Sequence, residues 1–124
     1  QGVVQRVLVQ VNVGADPAKG GCDVHGTLDL VAYARDLPNL AVEGLMTMPP
    51  LPPDDVDPNR ASRPFFATLR GLRDQARERW PEVAHLSMGM TPDLEAAIEE
   101  GATMVRVGTA LFGPRADRPW QPVT

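Results

Sequence analysis

Four short runs of β-branched and apolar residues, separated by stretches of helical periodicity, set the tightest limit on how this chain folds. Residues 6–13, RVLVQVNV, alternate Val7, Val9, Val11 and Val13 with Leu8, Gln10 and Asn12, which is strand periodicity with β-branched side chains on one face. Residues 40–48, LAVEGLMTM, read as a second strand, 85–87 as a short third and 104–112 as a fourth. Between the first two runs, Leu30, Ala34 and Leu37 recur at helical spacing behind Thr27 as the expected N-cap. Ser62 is the expected cap of a helix running to Trp80, with Phe65, Leu69, Leu72 and Ala76 as its apolar stripe and Pro81 as its stop. Thr91 is the expected cap of a third helix. Pro92 and Asp93 lie in its first turn, Leu94, Ala97 and Ile98 face inward, and Gly101 ends it. The proline- and acid-rich stretch 49–59, PPLPPDDVDPN, is expected to be a long loop with a disordered tip.

The order β-α-β-α-β-α-β specifies a parallel sheet with helices outside it. An open doubly wound sheet and part of a (β/α)8 barrel both satisfy that order. A complete barrel needs about 250 residues, so four strands in 124 residues would be half of one. Strands covered on both faces of an open sheet tend to be apolar on both, whereas Gln10, Asn12, Ser87 and Arg106 all sit inside strand patterns here. Polar groups near strand C-terminal ends, facing a lumen, are where barrel proteins place ligand contacts. The half-barrel is the expected architecture. The chain starts at Gln1 with a strand almost at once, so it is expected to begin in the middle of a longer fold.

Composition narrows the function classes. With 43% hydrophobic and 23% charged residues the chain reads as soluble and globular, and a net charge of −4 argues against a nucleic-acid partner. No run approaches the roughly 18 apolar residues of a membrane span. The single cysteine, Cys22, excludes an internal disulfide framework and points to a reducing, cytoplasmic setting. Lysine and arginine total 12, of which Lys19 is the sole lysine, so amine chemistry has one side-chain candidate.

The chemistry is concentrated in HLSMGMTPDLEAAIEEGATMVRVGTALFG, residues 85–113. Small residues in the SMGMT and VGT turns let backbone N–H groups approach phosphate oxygens, and Ser87, Thr91 and Thr109 add hydroxyl donors. Arg106 lies two residues before Gly108, hence on the same strand face, and reads as a buried cation below that phosphate position. The competing reading is a plain strand-turn-helix with Arg106 in a structural ion pair.

EGLMTMPP (43–50), RPFFATLRGLRD (63–74), LSMGMTPDLEAAIEEGATMVRVGTALFG (86–113) and VQVNVGADPAKGG (9–21) closely resemble the pyridoxal 5′-phosphate homeostasis proteins, the YggS-like family. That family is itself similar to the barrel domain of alanine racemase. The resemblance covers almost the whole chain. It implies a (β/α)8 barrel that binds pyridoxal 5′-phosphate (PLP), with residues 1–124 forming its C-terminal half and the N-terminal half, which carries the cofactor lysine, lying outside this chain. It places Ser87, Thr91, Gly108 and Thr109 at the cofactor phosphate, Arg106 near the pyridine nitrogen, and Asn12 and Met46 at strand ends lining the same pocket. A permanently charged arginine at that nitrogen disfavours its protonation and damps carbanion chemistry. The resemblance therefore implies a protein of vitamin B6 homeostasis that carries PLP without strong catalysis. An amino-acid racemase-type enzyme is the alternative. Racemisation needs two opposed acid/base groups, commonly a lysine and a tyrosine, and the single tyrosine, Tyr33, falls on an outer helix. Lys19 matches a loop lysine of the family and is expected to be solvated.

Other residues carry less. Cys22, Asp23 and His25 crowd one Gly-rich loop without ordinary metal-ligand spacing, so no metal is expected. His85 falls at the wrong end of a barrel strand for chemistry. The expected partners are PLP and either a complementary N-terminal half-barrel or a second copy of the chain, since edge strands are normally paired or covered.

Overall fold

The computed structural model describes residues 3–16 and 20–106. Four strands, β1 (Gln5–Gln10), β2 (Leu40–Met46), β3 (His85–Met90) and β4 (Met104–Arg106), form one sheet in the order β1-β2-β3-β4, and each neighbouring pair is parallel. Three α-helices connect them: α1 (Thr27–Arg35), α2 (Pro58–Arg79) and α3 (Leu94–Glu99), the last preceded by a 3-10 turn, Thr91–Asp93. A strand order that never reverses is the decisive feature. Right-handed crossovers between strands added in one direction put every helix on the same face, whereas a doubly wound sheet must reverse. The fold is thus α/β with four parallel strands and is consistent with part of a (β/α)8 barrel.

The core confirms that one-sided arrangement. Val9, Leu45 and Leu86 pair across β1, β2 and β3 and are buried in a single cluster with Val31 of α1, Phe66 and Leu69 of α2, and Ala96 and Ala97 of α3. One residue further along, Gln10, Met46, Ser87 and Met104 form the next row, on the opposite face. None of these four is buried. Among the described residues the sheet therefore has a helix-covered face and a bare one.

Several local expectations change. Thr27 is the first residue of α1 rather than its cap; its hydroxyl donates to the Asp23 carbonyl, while Asp23 Oδ1 accepts the Gly26 N–H. The buried face of α1 is Thr27 and Val31, and Leu30 and Leu37 are exposed. Helix α2 starts one turn earlier than expected, at Pro58, where Asp57 caps it by accepting the Asn59 N–H. Proline at the first helical turn loses no hydrogen bond, so the loop's last proline becomes a helix start. The other end of that loop is anchored as well: a Cβ on Gly14 would meet Pro50 Cγ at 2.6 Å. Ser62 lies inside α2, fully covered, and Phe66 replaces Phe65 in the stripe. Thr91 opens the 3-10 turn rather than capping α3, and Ile98 points outward, 58% exposed. Among the described residues no helix is long and apolar enough to cross a membrane.

Candidate functional site

The C-terminal ends of the strands carry the polar groups. On β3, Ser87 pairs with Met104 and Met90 with Arg106, so three steps on one strand span two on the other. That bulge is centred on Gly89, whose φ of +104° favours glycine and whose added Cβ would lie 2.4 Å from the Ala97 Cβ. The bulge turns Met90 onto the bare face beside Arg106 and lets the chain run straight into the Thr91–Asp93 turn.

A shallow depression at this edge is lined by Met46, Met48, Ser87, Met90, Asp93 and Arg106 among others. It encloses about 10 Å³, room for roughly one water. A small-molecule pocket needs about 300 Å³ or more, so the described residues supply one wall of such a site. Arg106 is exposed rather than buried, because none of the described residues covers the face it projects from. Its Nη1 donates to the Met48 sulfur at 3.4 Å, and among the described residues it forms no ion pair. The structural ion pair considered from the sequence is therefore absent among these residues.

Asp93 is the lone carboxylate of this wall among the described residues, and both its oxygens are engaged. Oδ1 accepts the Met90 N–H at 2.8 Å and Oδ2 accepts the Ser62 hydroxyl at 2.7 Å. The sequence suggested only that Asp93 suits a helix start. Its link to Ser62, 31 residues away, carries no sequence signal.

Of the residues expected at the site, the structure brings Met46, Ser87 and Arg106 together. Thr91 follows Met90 as the first residue of the adjoining turn. Asn12 sits just past the β1 end and folds over its own loop, with Nδ2 donating to the Asp16 carbonyl and Oδ1 accepting the Asp16 N–H. Gly108, Thr109 and Lys19 lie outside the described residues. Thr47, unmarked in the sequence, is buried and donates to the Val11 carbonyl at 2.7 Å, latching β2 to β1 just below the site. The Cys22 sulfhydryl donates to the Gln10 carbonyl, a structural use. His85 faces Thr103 at 3.1 Å at the far end of β3.

The donor set suits an anionic, planar ligand such as PLP. It offers a guanidinium with no carboxylate partner among the described residues, a strand-end hydroxyl, thioethers able to pack on a ring, and a carboxylate already hydrogen-bonded elsewhere.

A one-sided parallel α/β sheet with its polar groups at the strand C-terminal ends is the class of structure that holds ligands at a barrel mouth. The family model of the alanine racemase N-terminal domain matches residues 1–116, and the chain belongs to that family. Its curated relatives include the pyridoxal phosphate homeostasis proteins of Aquifex aeolicus, 51% identical over 91% of this chain and 48% of the relative, and of Vibrio cholerae, 40% identical over 89% and 45%. Among solved structures, PipY of Synechococcus elongatus with PLP bound superposes with a TM-score of 0.73 at 30% identity, covering 90% of this chain and 50% of PipY. A protein of unknown function from Bifidobacterium adolescentis superposes with a TM-score of 0.78 at 36% identity, covering 90% and 44%. The chain spans about half the length of the curated relatives it matches.

Proposed function

We propose that this chain is the C-terminal half of a PLP-binding (β/α)8 barrel and serves vitamin B6 homeostasis by carrying or delivering PLP rather than by strong catalysis. The observation that carries the reading is the bare strand-end wall, where Arg106 has no carboxylate partner among the described residues and Ser87 stands two strands from Gln10 in the same row. The PLP bound to PipY and the names of the relatives supply the ligand's identity. In this assignment Ser87, Thr91 and the Gly108-Thr109 amides hold the phosphate, Arg106 lies at the pyridine nitrogen, and Asn12 and Met46 border the ring. PLP when bound supplies an electron-withdrawing ring, and a guanidinium at its nitrogen keeps that ring unprotonated by like-charge repulsion.

Racemase-type chemistry is the second reading. It gains no support from the chain's single tyrosine, since Tyr33 is 66% exposed on α1.

Titrating PLP into the complete protein, followed by absorbance, tests the assignment. Thr109→Leu should weaken binding by about tenfold or more, the loss of one or two phosphate contacts. Thr68→Leu, on the exposed outer side of α2, should leave binding unchanged. Equal losses in both variants would remove the phosphate assignment, and robust alanine racemisation by the complete protein would remove the non-catalytic reading.

A further inference from the structure

Helix α2 contains a hydroxyl where helix propensity and burial both favour alanine. Ser62 is 2% exposed in the helix interior, where serine is a poorer helix former than alanine. Its Oγ donates at 2.7 Å to Asp93 Oδ2, whose companion Oδ1 accepts the Met90 N–H at 2.8 Å. One turn earlier on α2, Asn59 Oδ1 accepts the Ala96 N–H at 2.9 Å, and its Nδ2 donates to the Pro92 carbonyl at 3.4 Å. The start of α2 thus holds both the Thr91–Asp93 turn and the first turn of α3, immediately beside the strand-end wall.

We infer that Ser62 is a positioning residue for a phosphate-bearing ligand, acting through Asp93. This rests on the PLP-binding reading above and deepens it. Asp93 is the carboxylate of the wall, and a carboxylate with a free oxygen beside a phosphate opposes binding by like-charge repulsion. The Ser62 hydroxyl ties Oδ2 toward α2 while the Met90 amide ties Oδ1 to the turn, so neither oxygen is free to swing over the site. The same two bonds fix where Met90 and Thr91 sit. A hydroxyl bonded to a carboxylate is among the stronger neutral-donor bonds, so its loss is felt at the turn.

The experiment compares PLP with pyridoxal, which lacks the phosphate, as ligands of the complete protein. Ser62→Ala should raise the Kd for PLP by about tenfold and the Kd for pyridoxal by less than about twofold. Ser62→Ala combined with Asp93→Asn removes the charge and should recover most of the PLP affinity. Amide exchange at Met90 should accelerate in Ser62→Ala. A role limited to packing would instead weaken both ligands alike, with no recovery in the double variant, and would overturn the inference. Wild-type binding of PLP that Ser62→Ala leaves unchanged would overturn the inference alone. A wild-type protein that takes up no PLP would overturn the PLP reading and this inference with it.

Discussion

At the scale of single residues, the polar groups at the strand ends divide into those that hold the fold and those that face outward. Thr47, Asn12, Asp93 and Cys22 have their hydrogen-bonding groups turned onto neighbouring backbone or onto α2. Arg106 differs, since its one described partner is a thioether sulfur, a weak acceptor for a guanidinium. If it lies at the pyridine nitrogen as proposed, Arg106→Glu reverses the charge there and should favour a protonated ring. The bound cofactor's absorbance maximum should then shift relative to wild type; an unchanged spectrum would place Arg106 elsewhere. Ser87 was legible from turn composition and Arg106 from strand period, which set it on the face of Gly108; that the two meet follows from the pairing of β3 with β4. Burial of Arg106 was not legible. A strand pattern reports which face a side chain takes but not whether anything covers that face.

At the scale of elements, all four strands and three helices were legible from periodicity, and the differences lie at their ends. Caps were misjudged wherever the best capping residue was needed for something else. Ser62 bonds Asp93, Thr27 bonds the Asp23 carbonyl, and Asp57 caps α2 in place of Ser62. Such choices are set by tertiary partners far along the chain, and local pattern does not contain them. The inward faces of α1 and α3 shifted for a related reason: apolar residues at helical spacing can point along either of two adjacent stripes, and the bare regions beside these helices leave Leu30 and Ile98 exposed. The joint between β1 and β2 yields a test at this scale. Thr47 is 2% exposed and its hydroxyl reaches the Val11 carbonyl across 36 residues of sequence. Thr47→Val keeps the shape and leaves that acceptor unpaired, which should cost about 1–3 kcal/mol of stability. Thermal or denaturant unfolding measures it, and an unaltered midpoint would show that the latch contributes nothing.

At the scale of the whole molecule, the described residues cover the sheet on one side only. Val9, Leu45 and Leu86 meet the helices, while Met48, Met90 and Met104 stand 36%, 48% and 40% exposed on or beside the other face. Among the described residues, β1 and β4 are the outer strands of the sheet, each paired on one side. Exposed apolar surface together with open strand edges is a template for association. The isolated 124-residue chain is therefore expected not to persist as a stable monomer. It should pair with a complementary N-terminal half-barrel or with a second copy of itself that closes eight strands. The two closures differ at the cofactor. The N-terminal half would bring the lysine that the resemblance assigns to it, and a self-paired dimer would have only Lys19 to offer from each copy. Sedimentation of the 124-residue chain, repeated across a PLP titration, separates the outcomes. Dimers or larger species that tighten as PLP is added would support the half-barrel, and restoring the N-terminal half should convert them to a single closed species. A compact monomer would mean that the exposed face is stable in water and that the four strands do not need a closed barrel. A cofactor absorbance band that disappears on Lys19→Arg would show that the loop lysine, not one supplied by another segment, bonds the cofactor.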